Sequence, residues 1–226
     1  MRGERHIDEV QIFPQRGLVY HIRGGGISGK PMRPFAELWT ALTLSQGEYV
    51  HWIDGASRFN PARIMNNFPQ HIPQPEQLLH GLFVGRGFTV HQFSHLIERL
   101  SGEIKITKAR LIVVDGPITM HLDSQVNDYE ARSLLRRSMN ILSQIAIDYQ
   151  IPVVIITAAK GFSQRHTSLL ALVANRSQTS LVGRYRKHMG KNKLWLTHLP
   201  SGSSGFRYES SNQETLLQST SRIIHS

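Results

Sequence analysis

The stretch His21-Ile22-Arg23-Gly24-Gly25-Gly26-Ile27-Ser28-Gly29-Lys30-Pro31 decides how the chain is read. Gly24, Gly29 and Lys30 have the G-x-x-x-x-G-K spacing. In that pattern glycines let backbone N–H groups curl around phosphate oxygens, and the lysine adds a point charge. The motif carries weight only with a strand before it and a helix after it. Leu18 to Ile22 is a β-type run, and Phe35, Leu38, Trp39 and Leu42 recur at helical spacing behind the loop. Pro31 and Pro34 fall in the first helical turn, where N–H groups lack intrahelical partners, so they start the helix without breaking it. Pro31 also stands where the motif calls for Ser or Thr. It offers neither a hydroxyl to a metal nor an N–H to a phosphate. The loop is therefore expected to hold nucleotide, if at all, without turning it over.

The chain has 226 residues, no cysteine and a formal net charge of +10. That length suits one α/β domain and is short for two. The expected division is an arm over 1–17, a core domain over 18–209 and a polar tail over 210–226. Without cysteine there is no disulfide, thiolate zinc site, iron–sulfur cluster or cysteine nucleophile. The charged N-terminus has no apolar run behind it, and no stretch approaches the ~18 apolar residues of a membrane span. A soluble protein with no membrane partner is expected, cytoplasmic (nucleoid-associated) or nuclear and not secreted.

The charge is more informative once located. No Asp or Glu occurs from Tyr149 to Tyr208, whereas Lys160, Arg165, Arg176, Arg184, Arg186, Lys187, Lys191, Lys193 and Arg207 all do. Such a stretch is the footprint of a polyanion partner, nucleic acid before an acidic protein. The bland reading is a solvated basic face.

Tyr49 to Asp54 reads as a second strand ending in a carboxylate, and Asn60-Pro61 opens a helix by capping. Leu79 to Val84 reads as a third strand. The helix after it carries His91 and His95 four apart, a spacing that can bind a metal, but with no third ligand in sight no metal site is expected. Arg110 to Asp115 is an apolar strand ending in Asp, the Walker B pattern. Asp128 to Tyr149 is the clearest helix, followed by a buried strand over 151–157. Residues 160–180 lack a clean period and read as a mobile loop with a short helix at 169–173. Leu181 to His188 and Leu194 to His198 read as strands joined by 189–192, with a turn at 201–205 before 206–208. Strands and helices alternating at this spacing call for a parallel sheet covered on both faces.

At this point the sequence resembles the core of the RecA/RadA-type recombinases and their paralogues. The most specific match is Trp52-Ile53-Asp54-Gly55-Ala56-Ser57-Arg58-Phe59-Asn60-Pro61-Ala62-Arg63-Ile64, which is similar to that family's second-strand signature. Val84 to Phe88, the 111–115 strand, the long helix, the 151–157 strand and His198-Leu199-Pro200 follow in the family's order, over roughly 18–208. The resemblance implies a single RecA-like P-loop domain with a mainly parallel sheet, helices on both faces and a C-terminal antiparallel hairpin. It places the nucleotide site at Gly24, Gly29, Lys30 and Asp115. It also implies what is missing. The catalytic glutamate falls at Ala56, the metal-binding hydroxyl at Pro31, the γ-phosphate sensor near Ala159 and the interface aspartate near Trp195. Against that family's pattern, an N-terminal helical domain is not expected here, and no Phe-x-x-Ala motif occurs in the arm.

In that family the segment after the 151–157 strand binds DNA, and the carboxylate-free stretch begins there. The expectation is a recombination and repair accessory that binds DNA, single-stranded above all, without hydrolysing ATP, beside a recombinase, a paralogue subunit or copies of itself. Lys160, Arg165, Arg176, Arg184, Arg186, Lys187, Lys191 and Lys193 would meet phosphates. Phe162 and Tyr185 are the aromatics placed to stack on bases. No catalytic residue, metal or obligatory cofactor is expected, ATP bound without hydrolysis being compatible with the loop. Two alternatives stay open: a working DNA-dependent ATPase built on Lys30, Asp54 and Asp115, and a scaffold that binds a paralogue without touching DNA.

Overall fold

The computed structural model describes residues 14–188, 191–198 and 204–208; the arm up to Phe13 and the tail from Glu209 lie outside the described residues. One eight-stranded sheet organises the rest. In chain order its strands are β1 (Val19–Gly24), β2 (Val50–Asp54), β3 (Leu82–Arg86), β4 (Leu111–Asp115), β5 (Val153–Ala158), β6 (Thr179–His188), β7 (Lys191–His198) and β8 (Ser204–Tyr208). In space they run β3-β2-β4-β5-β1-β6-β7-β8. The strands from β3 through β6 in that order pair in parallel, and β7 and β8 turn antiparallel. The helices are α1 (Arg33–Ser45), α2 (Pro61–Met65), α3 (Pro75–Leu78), α4 (Val90–Thr107), α5 (Asp128–Tyr149) and α6 (Gln164–Ala174). The α/β class, the mainly parallel sheet and the C-terminal antiparallel hairpin are as expected.

Alternating side chains of the central strands leave the sheet on opposite faces. Val19, Ile53, Ile112, Val114, Val153 and Ile155 meet α4, α5 and α6 on one face. Tyr20, Ile22, Trp52, Val113, Val154 and Ile156 meet α1 and α2 on the other. Burial on both faces is why these strands read as unbroken apolar runs. Helix starts follow side-chain caps: Asn60, Thr89, Asn127 and Ser163 each accept from a backbone N–H in the first turn of the helix that follows.

Two elements differ from the sequence reading. The edge strand begins at Leu82, because Leu79–Gly81 forms a 3-10 turn. The segment read as a mobile loop over 160–180 is mostly α6, leaving only residues 159–163 between β5 and the helix. Its buried face is His166, Leu169, Leu170 and Val173. That is the i, i+3, i+4, i+7 series with a histidine at its head, which hides the period.

Two histidines are enclosed away from the acidic groups that would stabilise their charge. His21, fully buried, shares a 2.6 Å hydrogen bond with Thr157 Oγ1, and burial with the charge of Arg23 pushes its pKa down to about 3. His121, also fully buried, is lowered to about 4 by burial, despite an Nδ1 bond to the Pro117 carbonyl. Both stay neutral in the folded chain while the unfolded chain takes up their protons below about 6.5. Their contribution is complete above that pH and is lost as pH falls. Going from pH 7 to pH 5 should cost about 2 kcal/mol for each. Urea unfolding at the two pH values checks this, and His21→Asn should remove about 2 kcal/mol of the acid sensitivity.

Candidate functional site

Ligands of open parallel sheets sit beyond the C-terminal strand ends. Here that edge gathers the ends of β1, β2, β4 and β5, and β5 separates β1 from β4. The glycine-rich loop leaves β1 at Gly24, whose carbonyl accepts from Ala159 N at 2.7 Å. Gly29 has φ +69°, and a Cβ there would lie 2.0 Å from the Thr157 carbonyl oxygen, so only glycine lets the loop fold down on β5. Ser28 is also left-handed, at φ 59°, and its buried hydroxyl shares a 2.8 Å hydrogen bond with Thr119 Oγ1. Gly25, Gly26, Ile27 and Lys30 form an exposed rim. Pro31 and Pro34 withhold N–H groups where α1 would otherwise offer them to an anion.

The centre of this edge holds a guanidinium. Asp54, fully buried, accepts from the backbone N–H groups of Ala56, Arg58 and Phe59 at 3.2, 3.2 and 2.9 Å, and so shapes the turn after β2. That turn delivers Arg58 to Asp115. Arg58 Nε donates to Asp115 Oδ2 at 3.0 Å, and Nη2 donates to Oδ1. The same guanidinium donates to the loop carbonyls of Ser28 at 2.9 Å and Ile27 at 3.4 Å. Arg33 adds a second charge, its Nε 3.0 Å from Asp115 Oδ2 in an ion pair not aimed as a hydrogen bond, its guanidinium 5.8 Å from the Trp52 ring centroid. Arg33 also meets Glu37 at 3.4 Å, Arg63 meets Glu37 at 3.9 Å, and Arg86 meets Asp54 at 3.0 Å.

The arrangement opposes what a nucleotide site needs. A phosphate cradle turns N–H groups inward, whereas Ile27 and Ser28 turn carbonyl oxygens toward Arg58. Both oxygens of Asp115 already accept from a guanidinium, and Arg33 lies beside one of them, so a Mg²⁺ ion there would meet two positive charges. Burial raises the Asp115 pKa against the pull of Arg58 and Arg33, raises that of Glu37 and lowers that of Arg33. The partner charges offset these burial penalties only in part. The Ala56 side chain lies against Gly116, where an added Cβ would come within 2.7 Å of it, and alanine brings no carboxylate to this edge. Hence the residues present do not fit an ATP–Mg²⁺ pair in the arrangement the loop motif implies. Among the described residues, no group of three or more His, Asp or Glu could hold a metal, and no helix is long and apolar enough to cross a membrane.

Comparison with known families points the same way as the topology. The Rad51 family model matches residues 37–199. The chain belongs to the Rad51 family. The match covers the strand-two signature, Asp115 and the basic stretch, and begins after the glycine-rich loop. Proteins of this family have RecA-type recombinase cores and act in recombination and repair. No curated protein matches the chain.

The basic residues picked from the sequence divide between the two edges of this Rad51-family sheet. Lys160 and Phe162 are exposed at the C-terminal edge, Phe162 at 69% with its ring edge-on to His166 at 4.6 Å. Arg165 begins α6 there, partly covered and ion-paired with Asp128 at 3.3 Å, so it is not a free cation. β6 pairs with β1 only as far as Val182, so the exposed Arg184 and the hairpin beyond it project past that edge. Register sets Arg186 opposite Lys193 and His188 opposite Lys191. The side chains of Tyr185, Arg186, Lys187, Lys191, Lys193 and Trp195 lie outside the described residues. Arg176 departs from the expected cluster: it follows α6 at the opposite edge, near Gln178, which accepts from Val19 N at 2.8 Å. The sequence placed it with the others because the run from 160 to 180 was read as one loop.

Arg58 and Arg33 are the site residues the sequence reading missed. Their signal was present: Arg33 and Glu37 are an i,i+4 charge pair on a helix that otherwise shows apolar residues, and buried charges require partners. The partner of Arg58 is 57 residues away, which no local pattern reveals.

Proposed function

We propose that this Rad51-family chain is an accessory that binds DNA, single strands above all, and does not hydrolyse ATP. The observation that carries the reading is the Arg58 guanidinium bridging the glycine-rich loop and Asp115. A built-in cation bonds the carboxylate that a catalytic metal would need, and the same guanidinium ties down the loop carbonyls. Support for DNA is the second half of the same edge, where Lys160, Phe162 and Arg184 face solvent and the sequence has no carboxylate between Asp148 and Glu209. Contacts to phosphates give affinity that ignores sequence, and an exposed aromatic can stack on a base. Members of the family assemble with copies or paralogues, and a recombinase or paralogue subunit is the proposed protein partner.

The test is a titration of labelled single- and double-stranded DNA at several salt concentrations, with and without ATP–Mg²⁺. If about five to seven basic side chains meet phosphates, log K falls against log salt with a slope of roughly −0.7 per contact on a single strand. Replacing Arg184, Arg186 and Lys187 by glutamine should make that slope shallower by about two units and weaken all sequences alike. ATP–Mg²⁺ should change neither. An unchanged affinity and slope in the triple variant would remove the hairpin from the DNA reading.

A further inference from the structure

Helix α5 carries a second set of cations that the carboxylate-free stretch does not include. Asp128, Arg132, Arg136 and Asn140 recur four apart and share one stripe of the helix. The α6 segment is fastened along this stripe at both ends. At its head Arg165 meets Asp128 at 3.3 Å; just past its end Arg176 Nε donates to Asn140 Oδ1 at 3.0 Å, and Ser143 Oγ donates to the Arg176 carbonyl at 3.4 Å. Between the fastenings Arg132 and Arg136 are exposed, with no ion-pair partner among the described residues. Their neighbour Arg137 turns away to Glu98 at 3.2 Å. Helix α6 itself holds no carboxylate.

Among the described residues the seam therefore sets four guanidiniums against one carboxylate of its own stripe, Asp128, over about 18 Å of helix. Arg132 and Arg136, about 6 Å apart along the axis, repel each other at i,i+4, and neither forms an ion pair among the described residues. Arg165 Nη2 is enclosed and reaches no acceptor among the described residues. A row of planar, fork-shaped cations fits a chain of phosphates better than scattered carboxylates. The row is also continuous with the basic edge: Arg165 lies five residues past Lys160, and from there the seam runs down to Arg176 at the far edge.

We infer that the α5–α6 seam is a second track for a nucleic-acid backbone, carrying a strand away from the hairpin edge toward the opposite edge of the sheet. The inference rests on the DNA reading above and extends it to a surface nothing else assigns. Its test uses the full chain and two oligothymidylates, one short enough to occupy only the hairpin edge and one long enough to follow the seam. In Arg132→Gln/Arg136→Gln, affinity for the long strand should drop several-fold and its salt slope become shallower by about 1.4. Binding of the short strand should not change. Glutamine keeps the helix, and Arg132→Lys/Arg136→Lys, which keeps the charge, should retain the parent slope. Parent-like binding of the long strand by the glutamine variant would overturn the seam while leaving the hairpin reading intact. Failure of the parent chain to bind either strand would instead remove the DNA reading, and the seam with it.

Discussion

Asp115→Ala should lower the unfolding free energy by about 3–5 kcal/mol, the cost of stripping a buried ion pair of one partner. The reason lies in what the carboxylate holds. Arg33 is 2% exposed and Arg58 is largely covered, and both lose their counter-charge together. Had Asp115 been kept free for a metal, its removal would relieve a buried charge and change stability little. Arg58→Ala should cost about 3 kcal/mol, since Asp115 keeps Arg33 but the loop carbonyls of Ile27 and Ser28 lose their donor. The two losses should not add, because both break one network. Mg²⁺ should leave the unfolding midpoint of the parent unchanged and raise that of Arg58→Ala, in which Asp115 is partly released. Urea titrations of the parent, both single variants and the double variant measure all of this. A change within about 0.5 kcal/mol for Asp115→Ala, the usual range of an inconsequential surface substitution, would show that the triad is not formed.

The second large effect is on turnover, expected at background whatever DNA is added. Phosphoryl transfer takes nearly all its acceleration from positioning and from charges aimed at the transferring group. Loss of one such group typically costs 10²–10³ in rate. Here Pro31 supplies no hydroxyl, position 56 no carboxylate, and Asp115 only oxygens already bonded to a guanidinium. Arg58 adds a further obstacle, because a divalent cation approaching Asp115 must displace one guanidinium while another, Arg33, stays beside it.

Much of the fold could be read from local patterns, because burial on both faces writes β4 and β5 as unbroken apolar runs and caps mark the helices. Reading failed at α6, where a buried histidine occupies an apolar position, and at Arg176, which moved to the far edge once that helix was recognised. That Pro31 and Ala56 bring no hydroxyl and no carboxylate was legible, because the residue types are visible in one dimension. The place of Arg58 was not. Arg58 acts on Asp115 across two parallel strands, and whether an arginine there lies in solvent or over a carboxylate is decided only by the pairing of β2 with β4. The seam was hidden for the same reason, since its four arginines come from two segments brought together only by packing of α5 on α6.

The most direct test is phosphate release from ATP–Mg²⁺ by the purified chain, alone and with saturating single-stranded DNA, with Lys30→Ala measured in parallel. The account predicts background release in every case, indistinguishable between parent and variant. DNA-stimulated release that Lys30→Ala abolishes would contradict it, since that requires a working phosphate loop and an Asp115 free of Arg58.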